Sequence, residues 1–258
     1  MKFGICTGAE KLEYMKCLGF DYAEGNLSVI SKMTDEKFDI VCAALEKTPM
    51  SFEAVNGFCS PDLKLSYNID LKAIKAYAEM ALARAARLGT KIVVVGSGGA
   101  RKIPEGCSVE EAEENFKMAL VTVADVASVY GMKVAIEPLN HKECNFINTL
   151  ADAAKICEDI GRDDIGCIVD LFHFYKNGED MADIAKYGKY ILHTHIARMN
   201  DDRGAPAAED ADDVKAFVSA LESVGYNGRM SLESSYRPDF ETAVKNYAEL
   251  LENIKIKQ

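Results

Sequence analysis

Lys133-Val134-Ala135-Ile136-Glu137-Pro138-Leu139-Asn140-His141-Lys142-Glu143 is the stretch on which the fold assignment turns. An apolar run short enough for a buried strand carries a carboxylate at its last position, and a proline then ends the sheet ladder. Glu137 is thereby placed at the C-terminal end of a strand. In a parallel β/α sheet that end is where sites are assembled, because its loops can vary without disturbing the core. Three later segments finish the same way, in Asp170, His195 and Glu233.

Outward from this stretch one unit recurs: an apolar strand, a polar loop, an amphipathic helix and a glycine. Strands are predicted at Lys2-Cys6, Phe20-Ala23, Ser51-Val55, Lys91-Val95, Lys133-Glu137, Gly166-Asp170, Ile191-His195 and Arg229-Glu233. Ser108-Val109-Glu110-Glu111 has capping-box spacing ahead of an apolar face of Phe116, Leu120, Val123 and Ala127, and Thr149 is placed to cap the next helix. Glycines 19, 89, 131, 161, 188 and 225 stand between helical stretches and strands, where left-handed C-terminal caps turn the chain back. The second helix stops instead at Thr48-Pro49. Strand-helix alternation implies a parallel sheet with right-handed crossovers.

The 258 residues leave about 32 for each of eight units, and such barrels take roughly 250 in all. Eight units let the sheet close, so the expected fold is α/β: one (β/α)8 TIM barrel domain over residues 1–258, with an open doubly wound sheet as the alternative. No repeat, linker or low-complexity segment interrupts it. Asn200 to Asp213, rich in Asp and Ala, reads as a long strand-to-helix loop.

Composition narrows the function. No apolar run approaches the roughly 18 residues of a membrane span, and the start, MKFGICTGAEKLEY, has no apolar segment of signal-peptide length. A cytoplasmic location follows as the expectation. The eight cysteines include no C-x-x-C pair, so they are read as reduced, small core residues. With 41 acidic against 30 basic residues the net charge is −11, which repels nucleic acid and anionic membranes. A small neutral partner is expected; a homo-oligomer is compatible with the sequence.

Side chains alternate along a strand. Ala135 and Glu137 therefore share one face, as do Ile168 and Asp170, then Ile191, His193 and His195, then Ser231 and Glu233. The bulky apolar residues between them are assigned to the helix layer, and the small and polar set to the barrel axis. A lone acid at a strand end is usually solvated or caps a helix. Four successive strands delivering carboxylate, carboxylate, imidazole and carboxylate to one rim are another matter, because three crowded carboxylates repel unless a cation compensates. One divalent metal ion bound by Glu137, Asp170, His195 and Glu233 is the expectation: Mn²⁺ or Mg²⁺, with Co²⁺ and Zn²⁺ as further candidates.

At these residues a family resemblance emerges. Glu137-Pro138-Leu139-Asn140 with Glu143, Asp170-Leu171-Phe172-His173, His193-Thr194-His195 followed by Arg203 and Pro206, and Ser231-Leu232-Glu233-Ser234 resemble the xylose-isomerase-like TIM barrels, in particular ketose 3-epimerases of the D-tagatose/D-psicose type. Gly96-Ser97-Gly98-Gly99-Ala100-Arg101 through Gly106 is similar to a loop of these sugar isomerases and epimerases. The resemblance implies one metal on Glu137, Asp170, His195 and Glu233, usually manganese in the epimerases. It implies that Glu137 and Glu233 are catalytic, exchanging the substrate proton, and that Glu143, His173 and Arg203 bind the sugar. One departure is present: the family's arginine lies closer after the second histidine, whereas Arg198 comes before and Arg203 beyond that position. Arg203 is the one matched, since Gly204-Ala205-Pro206 continues the family-like loop.

The chemistry fits the acids. A proton beside a ketone leaves only if the resulting cis-enediolate is stabilised, which a Lewis-acidic metal does. One carboxylate then removes the proton and the other returns one from the far face, inverting the carbon; return to the neighbouring carbon gives an aldose-ketose isomerase instead. Bland alternatives stand beside these assignments: Glu143 as a solvated loop residue, His173 as a stacked ring, His193 as a core histidine one layer below His195. The glycine loop at 96–99 lacks the Gly-Lys-Ser/Thr of a phosphate loop, so close packing at the rim is its expected purpose. Rival functions are an inosose-type dehydratase on the same scaffold, a non-enzymatic sugar-binding protein, and an abasic-site endonuclease. Four histidines in an acidic chain argue against the last.

Overall fold

The computed structural model describes residues 1–200 and 202–254. Eight strands, β1 (Lys2–Cys6), β2 (Tyr22–Asn26), β3 (Phe52–Asn56), β4 (Ile92–Val95), β5 (Lys133–Ile136), β6 (Ile165–Asp170), β7 (Ile191–Ile196) and β8 (Arg229–Leu232), pair in chain order into a closed barrel. Each pairing is parallel, β8 with β1 included. The expected (β/α)8 TIM barrel is the observed fold.

Two layers of core result from strand alternation. Tyr22, Ala54, Ile92, Val94, Ala135 and Ile168 fill the lumen, with Leu192 packed on them, while a larger cluster including Val134, Ile136, Val169, Met230 and Leu232 joins the sheet to the helices. Strand parity placed Ile191 in the lumen, and here it is corrected. Ile168 pairs with His193 although the preceding Cys167 pairs with Ile191, so β7 has one extra residue at Leu192. This bulge puts Ile191 in the outer layer and Leu192 against the lumen cluster. His193 and His195 keep their inward aim because they lie beyond it.

Most local signals hold, though Ser108 caps its helix on Glu111 N–H without closing the box, its hydroxyl donating to Glu110 instead. Thr149 accepts from Asp152 N–H at 3.1 Å while Asp152 accepts from Thr149 N–H at 2.9 Å, closing a capping box on helix Leu150–Ile160. Helix Asp35–Lys47 ends at an extended Thr48. Glycines 19, 89, 131, 161 and 225 have positive φ. Gly188 does not: its φ is −52°, and a Cβ there would stand 2.6 Å from Val224 Cβ, so close approach of helix Ala211–Ser223 is what requires glycine. The loop read over Asn200–Asp213 ends sooner, since Ala208–Asp210 form a 3-10 turn and the helix starts at Ala211; Asp201 lies outside the described residues. All eight cysteines are free. Among the described residues no helix is long and apolar enough to cross a membrane.

One half-buried acid makes stability depend on pH. Glu179 accepts from Leu150 N–H at 2.7 Å. Burial pushes its carboxyl up to about 7; that hydrogen bond opposes the rise, and Asp183 and Asp152 add to it. An unfolded chain has Glu at about 4.3, so between these values the folded state binds the extra proton. Stability from this group is full below the unfolded pKa and is lost as pH rises through 7. Glu179→Gln should therefore melt higher than the parent at pH 8, and the two should converge near pH 4.5 in thermal scans.

Candidate active site

Glu137 follows β5, Asp170 ends β6, His195 lies in β7 and Glu233 follows β8. One ligand-type atom from each lies within 4.8 Å of all the others. His195 Nδ1 is the hub: it stands 3.4 Å from Glu137 Oε1, 3.7 Å from Asp170 Oδ2 and 3.1 Å from Glu233 Oε2. It is buried and hydrogen-bonded to none of them. A buried nitrogen without a hydrogen bond, aimed at three carboxylates, fits a divalent cation with mixed oxygen and nitrogen ligands.

Asp170 combines the two roles that the sequence left as alternatives. Its Oδ1 accepts from the N–H groups of Phe172 and His173 at 2.8 and 3.1 Å, capping helix Leu171–Lys176, which leaves Oδ2 for the ring. A carboxylate fixed through one oxygen presents the other without rotational freedom.

Arg203 enters the same ring. Its Nη2 donates to Asp170 Oδ2 at 2.7 Å and to Glu233 Oε2 at 2.5 Å, and its guanidinium lies 5.0 Å from the Phe172 ring centre. Its carbonyl accepts from Ser235 N–H at 2.7 Å, tying the loop to the end of β8. Arg198 is held elsewhere, bonded through Nε to Asp210 at 2.9 Å and through Nη2 to Glu209. Of the two candidate arginines, Arg203 is the one at the site.

Glu143 and His173 meet through Asn140. The Asn140 side chain donates to Glu143 Oε1 at 2.8 Å and lies 2.8 Å from His173 Nδ1, which the Asn140 N–H also approaches at 3.3 Å. Two donors on Nδ1 assign the His173 proton to Nε2, 3.9 Å from Asp170 Oδ2. Glu143 is half exposed and, with Asn140, His141, Lys142, Phe172 and Lys176, lines a cavity of about 410 Å³.

The carboxyls differ in proton affinity. Burial, together with Glu233, raises Glu137 above the usual range against the opposing effect of His195. Burial would raise Asp170 too, but Arg203, His173 and His195 outweigh it and hold that group well below the usual range. Glu233 is likewise lowered, because His195 and Arg203 overcome its burial.

Four supporting roles were not identified from sequence. Glu24 on β2, 1% exposed, accepts from His195 and His193. Asn56 at the end of β3 donates to Glu233 Oε1 at 2.9 Å. Both fell beyond strands predicted to end at Ala23 and Val55; the observed strands end at Asn26 and Asn56. Fully buried Arg101 donates through Nη2 to the Glu137 carbonyl at 2.5 Å. The fourth is Gly96, whose absent Cβ makes room for the Glu137 carboxylate. The glycine loop serves close packing, as expected, since Cβ atoms at Gly98 and Gly99 would lie 2.9 Å from Leu139 and 3.0 Å from Pro61.

Over residues 12–256 the chain matches the family model described as xylose isomerase-like TIM barrel. An inosose isomerase from Bacillus velezensis is 29% identical over 249 residues, covering 90% of this chain and 84% of that one. A ketose 3-epimerase from Arthrobacter globiformis is 31% identical over 121 residues, 46% of this chain and 41% of that one. Among solved structures, the IolI protein with a bound zinc atom superposes with a TM-score of 0.77 at 23% identity, covering 98% of each chain.

Proposed function

The chain belongs to the xylose isomerase-like TIM barrel family, and on that premise we propose a ketose 3-epimerase-like activity for it. Its named relatives make it a sugar isomerase or epimerase. The observation that carries the finer reading is the pair Glu137 and Glu233. They hang from strands three apart around the barrel and flank the same His195 nitrogen, at 3.4 and 3.1 Å.

Glu137, Asp170, His195 and Glu233 would hold the cation, with Mn²⁺ as the ion expected. Bound there, it supplies Lewis-acid stabilisation of the charge that develops on the substrate oxygens. The protein does the rest. One of Glu137 and Glu233 takes the proton from the carbon beside the ketone as general base, and the other delivers a proton to the opposite face. Arg203 sits beside the ring to receive a carbonyl or hydroxyl oxygen. The half-exposed Glu143, which lines the cavity, holds hydroxyls further along the sugar, with the buried His173 Nε2–H behind it beside Asp170.

A second reading has its own support: an inosose isomerase matches 90% of this chain, whereas the ketose 3-epimerase match covers 46%. A cyclic polyol ketone loses its proton by the same step. The two readings are separated by incubating the protein with Mn²⁺ in D₂O and a panel of ketoses and inososes, with products resolved by chromatography and the label located by NMR. A ketose epimer carrying deuterium at C3 is the result expected. Conversion of an inosose to a positional isomer would establish the second reading, and absence of turnover on the whole panel would overturn both.

A further inference from the structure

The reading of the ring as a cation site leaves His195 with a requirement. Only an unprotonated imidazole nitrogen ligates, and a neutral imidazole carries its single proton on either nitrogen. We infer that Glu24 is the positioning residue that meets this requirement. It keeps the His195 proton on Nε2 and so turns the Nδ1 lone pair toward Glu137, Asp170 and Glu233, while His193 occupies its second oxygen and locks it in that pose. This rests on the cation-site reading above and adds a residue and a tautomer to it.

The distances define the arrangement. Glu24 Oε1 lies 2.8 Å from His195 Nε2, and Oε2 lies 2.7 Å from His193 Nε2. The two rings stand 87° apart in plane, with centres 5.0 Å from each other, so each presents its edge to a different oxygen. An ionised carboxylate only accepts, so both Nε2 atoms must donate. In the neutral ring that ligation requires, Nδ1 of His195 is then the lone-pair nitrogen, and it is the atom that faces the three carboxylates without a hydrogen bond. His193 completes the device because a buried carboxylate oxygen left without a donor would be costly. A chain of contacts supports it from below: Ser231 Oγ is 3.5 Å from His193 Nε2 and 2.7 Å from Tyr22 OH.

Cys6, Glu24 and His195 also lie close enough to form a second three-ligand cluster. Both Glu24 oxygens are already engaged by imidazole N–H groups, so the hydrogen-bonded role takes precedence there. Glutamine offers one oxygen and one NH₂ where the carboxylate offers two charged oxygens, so one ring must accept from the amide and carry its proton on Nδ1. If that ring is His195, its Nδ1 lone pair is lost; if it is His193, His195 still loses the carboxylate charge that strengthens it as a ligand.

The test measures Zn²⁺ binding by competition titration on the parent, on Glu24→Gln and on His193→Gln, with thermal melts to establish folding. Glu24→Gln should bind zinc roughly 10- to 100-fold more weakly than the parent. His193→Gln keeps a donor for Oε2 and should stay within about threefold of the parent, on the same scale of outer-ligand effects. Equal affinity of a folded Glu24→Gln overturns the inference alone. A parent that binds no zinc overturns the cation site and the inference with it. If Glu24→Gln does not fold, ¹⁵N NMR of the zinc-loaded parent decides: a proton on His195 Nε2 is the expected result, and a proton on Nδ1 refutes it.

Discussion

Glu137→Gln should lower turnover by roughly 10²- to 10⁴-fold, the span associated with loss of a positioned acid or base, and should stop solvent deuterium from entering the substrate. The fold should survive. The backbone of Glu137 is held independently of its carboxylate, by Arg101 on its carbonyl and by its own N–H on Val95 O at 3.3 Å. Burial already disfavours the ionised side chain, so an isosteric neutral group relieves repulsion, and the melting temperature is expected to match or exceed the parent's. Glu233→Gln should lose exchange equally but be less benign, because it removes a partner of Arg203 and leaves that cation with Asp170. Measuring deuterium uptake by mass spectrometry beside a melt separates chemistry from folding. Normal uptake in both variants would remove the two glutamates from the mechanism.

Gly96→Ala should be nearly as damaging, with no loss of any functional group. An added Cβ would overlap Glu137 Oε2 and stand 3.1 Å from Glu137 Cδ. Gly96 is not among the residues with positive φ, so the backbone accepts alanine without strain and the whole conflict falls on the carboxylate. A carboxylate displaced by about 1 Å costs on the order of 10²-fold in rate. Turnover and metal affinity should therefore fall together while the melting temperature moves by only a few degrees, since the atom pushed aside is the end of a side chain. Full activity of Gly96→Ala would mean that Glu137 acts from another pose.

Those two residues differ in how readable they were. Glu137 announces itself, because a carboxylate closing an apolar run before proline is a local pattern. Gly96 sits in a glycine-rich loop whose packing purpose is readable, but nothing near it says that its missing Cβ faces an acid on the next strand. Asp170 is intermediate: its position at a strand end was plain, whereas its division into a capping oxygen and a free oxygen needed the turn geometry of helix Leu171–Lys176. For the two arginines, spacing fitted neither to the family, and Arg203 was chosen only because Gly204-Ala205-Pro206 continues the family-like loop. Arg198 has acidic partners in its own loop, and the tie between Arg203 and Ser235 carries the other to the ring.

From the order of residues alone came the eight strand-helix units, their closure into a barrel, and the shared inward face of Glu137, Asp170, His195 and Glu233. All of these follow from periodicity, which is local and survives without knowledge of partners. Glu24 did not come that way. The apolar pattern that marks its strand stops at Ala23, one residue short of it, while the strand runs on to Asn26. Its burial is tolerable only because two imidazoles, 169 and 171 residues away, donate to it. The bulge at Leu192 is of the same kind, a register shift visible only once β6 and β7 are paired. Whether a charge can be buried is settled by what lies opposite it, and barrel closure alone brings β2 across from β7.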